Sequence, residues 1–160
     1  MKKMESKKTK KKETNHNKER LLAVVRVRGK INLKHDIAKT FTQLNLHNKN
    51  WCVILKNTKS NLGMINKVKD YVTYGEVSED ILDSLIKEHG ELYKEREHDS
   101  KKKISYKKYF VYKNKKYQRY LRLTPPKKGY GRKGVKVSFG KGGALGYRAE
   151  KINDLLKRMI

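Results

Sequence analysis

Leu21-Leu22-Ala23-Val24-Val25-Arg26-Val27, closed by Arg28-Gly29, is the stretch on which the fold reading turns. It is almost wholly apolar and rich in β-branched valine, so it reads as a strand. Its apolar residues are consecutive rather than alternating, which predicts burial on both faces. Further along, Leu33, Ile37, Phe41 and Leu44 recur at helical spacing and predict a helix over about residues 33–44 with one apolar face. Trp51-Cys52-Val53-Ile54-Leu55 is a second strand, closed by Asn57-Thr58. A second helix follows with Ser60 or Asn61 as its cap and Met64, Ile65 and Val68 inward. Tyr71-Val72-Thr73-Tyr74 returns to strand chemistry and stops at Gly75. A third helix starts at Ser78, places Glu79 and Asp80 at its positive end, buries Ile81, Leu82, Leu85 and Ile86, and ends at Gly90. The order β-α-β-α-β-α with short loops predicts an α+β domain over residues 21–90, one compact sheet with its helices on one face.

Charge divides the chain differently. The 160 residues carry 42 Lys and Arg against 16 Asp and Glu, a formal +26. Residues 1–20 hold nine basic and three acidic residues, residues 21–90 eleven and seven, and residues 91–160 twenty-two and six. The predicted core is therefore almost ordinary, and the excess lies in an N-terminal arm and a C-terminal extension. The arm has no apolar side chain beyond Met1 and Met4, too few to offset its ordering entropy, and is expected to be disordered until bound. A charge this large points to a polyanionic partner, nucleic acid first. Lys outnumbers Arg by 33 to 9, which suits phosphate neutralisation better than bidentate base reading.

Residues 101–148 contain 17 Lys and Arg, no Asp or Glu, seven of the ten Tyr and seven of the eleven Gly. A solvated tail would need neither the interleaved aromatics nor the rigid pair Pro125-Pro126, whereas rings that stack on unpaired bases beside phosphate-neutralising cations would use both. The stretch is expected to fold once an anion screens it. Tyr109-Phe110-Val111-Tyr112 and residues 117–123 read as a basic hairpin around Asn114, and Val135-Lys136-Val137-Ser138-Phe139 as a further strand. The last element is a helix over about residues 147–159 with Ile152, Leu155, Leu156 and Met159 on one face, so that residues 91–160 wrap the core as a basic extension.

Catalytic and metal chemistry find no footing. The run Gly140-Lys141-Gly142-Gly143-Ala144-Leu145-Gly146 has Leu145 where a dinucleotide fingerprint needs glycine, and Val135 and Gly142 where a Walker loop needs Gly and Ser or Thr. His16, His35, His47, His89 and His98 show no ligand spacing, and the lone Cys52 lies in an apolar strand. No cofactor, metal, small-molecule substrate or enzymatic activity is expected. The longest purely apolar run, Leu21 to Val25, is far short of the ~20 residues that span a bilayer, so no membrane partner is expected, and the single cysteine fits a reducing cytoplasm.

Three ordered blocks resemble the L-thirty family of large-subunit ribosomal proteins, in its longer archaeal and eukaryotic branch. They are Leu22 to Gly29 with Asp36-Ile37-Ala38-Lys39-Thr40-Phe41; Asn57-Thr58 with Gly63-Met64-Ile65-Asn66-Lys67-Val68 and Asp70 to Val77; and Leu121-Arg122-Leu123-Thr124-Pro125-Pro126 with Gly142-Gly143-Ala144-Leu145-Gly146-Tyr147-Arg148. Thr124 stands where the family usually has His, and residues 91–118 show no clear match. The resemblance implies a ferredoxin-like, three-stranded antiparallel sheet carrying two helices, with an added helix and the extension around it. It also implies a structural role in the cytoplasmic ribosome, bound to large-subunit ribosomal RNA and beside neighbouring large-subunit proteins. By matching position, RNA-facing roles fall on Arg26, Arg28 and Lys30, on Asn57, Thr58, Gly63 and Lys67, and on Arg122, Pro125, Pro126, Lys127, Lys128, Gly142, Gly143, Tyr147 and Arg148. Charge and aromatic content alone add Lys8, Lys10, Lys11, Lys12 and Arg20 of the arm, and Arg119, Tyr130, Arg132, Lys133, Lys136 and Lys141. Charge by itself leaves a free RNA-processing factor or a DNA-compacting protein as alternatives.

Overall fold

Strand β1 (Leu21–Arg26) lies in the middle of a five-stranded sheet, and its continuous apolar run is explained by that position. Leu22 and Val24 face one hydrophobic cluster, while Ala23 and Val25 face another on the opposite side. The computed structural model describes residues 21–106 and 108–160. Lys8, Lys10, Lys11, Lys12 and Arg20 lie outside the described residues.

On either side of β1 run β2 (Trp51–Lys56) and β3 (Val72–Glu76), both antiparallel to it, with Val24 opposite Val53 on one side and Tyr74 on the other. These three are the antiparallel strands expected. Two helices, α1 (His35–Gln43) and α2 (Lys59–Val68), cover one face through Phe41, Ile65 and Val68. The cap of α2 is Thr58 rather than Ser60 or Asn61, its hydroxyl accepting from the Asn61 amide at 3.3 Å. Helices are not confined to that face. The third, α3 (Glu79–His89), covers the other with Ile81 and Leu85, and α4 (Ile152–Lys157) joins it with Ile152, Leu155 and Leu156. A central strand apolar on both faces needs two covers, and the second is completed from the far end of the chain.

The extension also widens the sheet. After the hairpin of β4 (Tyr109–Tyr112) and β5 (Lys115–Gln118), β6 (Tyr120–Arg122) pairs antiparallel with β2, and β7 (Gly146–Tyr147) pairs parallel with β3. The sheet is therefore mixed, with both edges drawn from the extension. The hairpin turns at Lys113 and Asn114, whose φ angles of 44° and 62° are those of the tight turn that matches strand twist, so Asn114 marks the turn as expected. Its second strand is 115–118, and residues 120–122 leave it for the main sheet.

Residues 135–139 are not a strand. Val137 instead accepts from the Ala144 and Leu145 amides at 2.9 and 3.1 Å, and the chain forms a 3-10 turn at Phe139–Lys141. The closing helix is shorter than expected because Gly146 and Tyr147 are drawn into the sheet and Ala149–Lys151 is a 3-10 turn. Gly75 does not end β3 but lies within it. A Cβ there would stand 2.2 Å from the Ala149 carbonyl oxygen, so glycine lets the returning chain cross the strand.

Candidate nucleic-acid interface

Where β1 runs out, the chain makes a basic turn whose shape depends on Arg26. Its side chain is 1% exposed, with the guanidinium 4.0 Å from the centre of the Phe41 ring. It donates to four backbone carbonyls, Leu46 at 2.7 Å, His47 at 3.2 Å, Arg28 at 2.9 Å and Gly29 at 2.8 Å. Burial lowers its pKa from the ordinary arginine value. Arg26 is thus an internal clasp rather than an RNA-facing residue, and it holds Arg28 and Lys30 outward.

Arg28 donates to the Asp70 carbonyl at 3.1 Å and lies over the Tyr71 ring. It stands on a cleft of about 720 Å³ shared with Asn32, Lys34, Lys69, Lys136 and Ser138. The first turn, the end of α2 and the extension meet there, and among the described residues Asp70 is the only acidic one on its lining. Of the residues singled out from sequence, Arg28 and Lys136 are brought together. Lys34 and Lys69 were missed, because they lie in the nearly neutral middle of the chain and only the folded contact gathers them. Ile31 stands nearby in sequence, 88% exposed among basic neighbours.

The extension from Thr124 to Arg148 is tied down by hydrogen bonds to its own backbone and to the sheet. Arg148, 5% exposed, donates to the Thr73 hydroxyl at 2.8 Å and to the carbonyls of Tyr130 and Ala144 at 2.9 and 3.1 Å. Burial brings its pKa down to about 10, which leaves it charged at neutral pH. Tyr130 is buried, its hydroxyl donating to Asn50 Oδ1 and its pKa pushed up to about 12 by burial. Arg158 donates to the Lys127 and Gly129 carbonyls at 3.2 and 2.9 Å. Gly143 is needed inside, since a Cβ on it would meet the Val137 carbonyl oxygen at 2.2 Å. Tyr130, Arg148, Gly143 and Pro126 therefore build the loop from within, and the expectation that they face RNA is corrected. What the loop exposes is Pro125, Lys127, Lys128, Arg132, Lys133, Lys136, Lys141 and Gly142. An Arg148→Met variant is expected to lose about 2–3 kcal/mol in urea unfolding, since three buried acceptors lose a charged donor.

The second block lies on α2. Thr58, Gly63 and Lys67 are exposed and Asn57 is half-buried. A Cβ on Gly63 would meet nothing within 4 Å, so no contact inside the chain accounts for a glycine in mid-helix. Arg122 and Arg119 are exposed; Arg122 pairs with Glu91 at 3.3 Å beside the stacked rings of Trp51 and Tyr120, 4.3 Å apart. Tyr147 is half-exposed beside Tyr74.

Among the described residues no cluster of His, Cys, Asp and Glu could hold a metal ion. Burial pushes the Cys52 thiol up to about 12, so it stays protonated and is no nucleophile at neutral pH. Among the described residues no helix is long and apolar enough to cross a membrane.

Residues 22–72, from β1 to the start of β3, match the Ribosomal protein L30p/L7e family. The chain is 46% identical over 151 residues to the large ribosomal subunit protein uL30 of Methanococcus maripaludis, covering 86% of this chain and 98% of the relative. The chain belongs to the uL30 family. The uL30 proteins of Nanoarchaeum equitans and Methanopyrus kandleri are 41% and 40% identical, covering 88% and 84% of this chain and 99% and 100% of theirs. Coverage of this extent reaches beyond the core into the extension. These relatives are named as proteins of the large ribosomal subunit, and all three are archaeal. The fold of this chain is the α+β arrangement expected from the resemblance, enlarged from three sheet strands to five.

Proposed function

We propose that this uL30 member is a structural, non-catalytic constituent of the large ribosomal subunit that binds and stabilises large-subunit ribosomal RNA. The observation that carries the reading is the convergence of Arg28, Lys34, Lys69 and Lys136 on one cleft, which Lys136 shares with the exposed cations of the 125–142 loop. Cations held on an internally bonded backbone lose less entropy on binding than cations on a free tail, so the loop is preorganised for phosphates. Lys30, Asn57, Thr58, Gly63, Lys67, Arg119, Arg122 and Tyr147 are further RNA-facing residues in this reading. Lys8, Lys10, Lys11, Lys12 and Arg20 add charge from the arm. Exposed Leu92, Ile104 and Val111 are offered to neighbouring large-subunit proteins.

Sedimentation tests the reading. The chain is expected to travel with the large subunit through moderate salt, whereas a free RNA-processing factor washes off. Competition binding is expected to favour structured ribosomal RNA over duplex DNA, and equal affinity for both would instead mark a DNA-compacting protein. Gly63→Ala gives a finer test. The variant is expected to gain about 0.5–1 kcal/mol of stability, since alanine is the better helix former, yet to bind RNA more weakly, since the added methyl obstructs a close approach. Unchanged RNA affinity would remove Gly63 from the interface.

A further inference from the structure

Between the β4–β5 hairpin and the body of the protein lies a pocket of about 320 Å³. Gln43 and Asn45 reach it from the end of α1, Asn61 from the first turn of α2, and Tyr109, Phe110 and Arg119 from the extension. Leu55 and Met64 give it apolar surface, and no carboxylate lines it among the described residues. We propose that this pocket takes one unstacked nucleobase from a loop or bulge of the bound RNA. The proposal rests on the RNA-binding reading above and deepens it by naming what a second site would bind.

The side chains here differ in kind from those of the basic cleft. Phosphate needs cations and donors only, and the exposed 125–142 loop supplies lysines and arginine. A base edge presents donors and acceptors together, which is what carboxamides match, and three converge on this pocket. The Asn61 amide nitrogen donates to the Lys56 carbonyl at 2.8 Å, which fixes that side chain in place. Half-buried Phe110 supplies ring surface for stacking, the sequence-tolerant part of single-strand recognition, while Tyr109, its neighbour on the strand, turns its ring to Tyr93 and Lys116 on the other face of the hairpin. The volume lies at the small end of the range for ligand sites, about 300–1,000 Å³, which suits a single base and excludes a helix. A protein side chain is the other conceivable occupant, but the surrounding extension, with 17 cations and no acid from residue 101 to 148, favours RNA.

The test is a side-chain NMR titration of the full-length chain with oligo(A) hexaribonucleotide, and with an abasic hexamer as control, in salt high enough to screen backbone contacts. The Gln43, Asn45 and Asn61 amide resonances and the Phe110 ring are expected to shift with the hexamer and not with the abasic control. Gln43→Ala, on an exposed side chain, and Phe110→Leu, which keeps apolar volume but removes the ring, are each expected to weaken binding at least about fivefold. Pocket resonances that stay still, or that move equally with the abasic control, would overturn the proposal. Should Phe110→Leu fail to fold, Gln43→Ala decides alone, and wild-type affinity in that variant also overturns it. Large-subunit RNA binding measured in parallel separates the two readings: retained binding with a silent pocket sinks only the base site, whereas no binding by wild type sinks the RNA reading itself.

Discussion

An Arg26→Met variant is expected to lose about 3–5 kcal/mol of folding stability, seen as a lower urea midpoint at unchanged slope. Methionine replaces the apolar stem and even part of the contact with Phe41, so the loss isolates the guanidinium. Four carbonyls then lose their donor, and the one on Leu46 belongs to a wholly buried residue. Each unpaired buried acceptor costs about 1–3 kcal/mol, and two such acceptors already account for the lower end of the range. Arg26→Lys should recover less than half, because an ammonium reaches one or two of the four carbonyls and cannot lie flat on the ring. A loss below about 1 kcal/mol would mean that the turn from Arg28 to Lys30 holds its shape without the clasp.

RNA binding should be strongly salt-dependent. With about 6–10 phosphates neutralised, affinity for large-subunit ribosomal RNA is expected to fall by about 10³–10⁵ between roughly 50 and 200 mM salt. The exposed cations of the first turn, the cleft and the 125–142 loop are numerous enough for that many contacts. Replacing one of them, Lys133→Ala for example, should reduce the steepness of the logarithmic plot by about one unit and weaken binding to all sequences alike. Arg148→Met should behave differently. Its guanidinium touches no solvent-facing anion, so any effect must come through a loosened loop and should follow the stability loss. A filter-binding series across salt measures both, and a nearly flat plot would contradict phosphate contact as the main source of affinity.

Elements with a strong local pattern were legible from the amino-acid sequence alone. The unbroken apolar run at residues 21–27 names a strand buried on both faces, and the spacing of the Phe41 and 81–86 stripes names two helices and the side each buries. Strands of two and three residues carry none. β6 and β7 exist because β2 and β3 offer free edges, and that information lies elsewhere in the chain. The alternation at 135–139 misled for the opposite reason, since a tight turn onto Gly143 satisfies the same backbone groups a strand would use. Among candidate site residues, charge identified the exposed loop lysines but could not separate them from Arg26 and Arg148. A buried arginine and a phosphate-binding one look alike in composition. What tells them apart is whether backbone carbonyls surround the guanidinium, which only the fold decides.

In the proposed function the basic loop and the first turn, more than the arm, grip the RNA. A crosslinking map of ribosomal RNA to the lysines and tyrosines of this chain within the large subunit tests it directly. Crosslinks at Lys30, Lys34, Lys69, Lys127, Lys128, Lys133 and Lys136 are the expected result, with none at buried Tyr130. Crosslinks confined to residues 1–20 would contradict it.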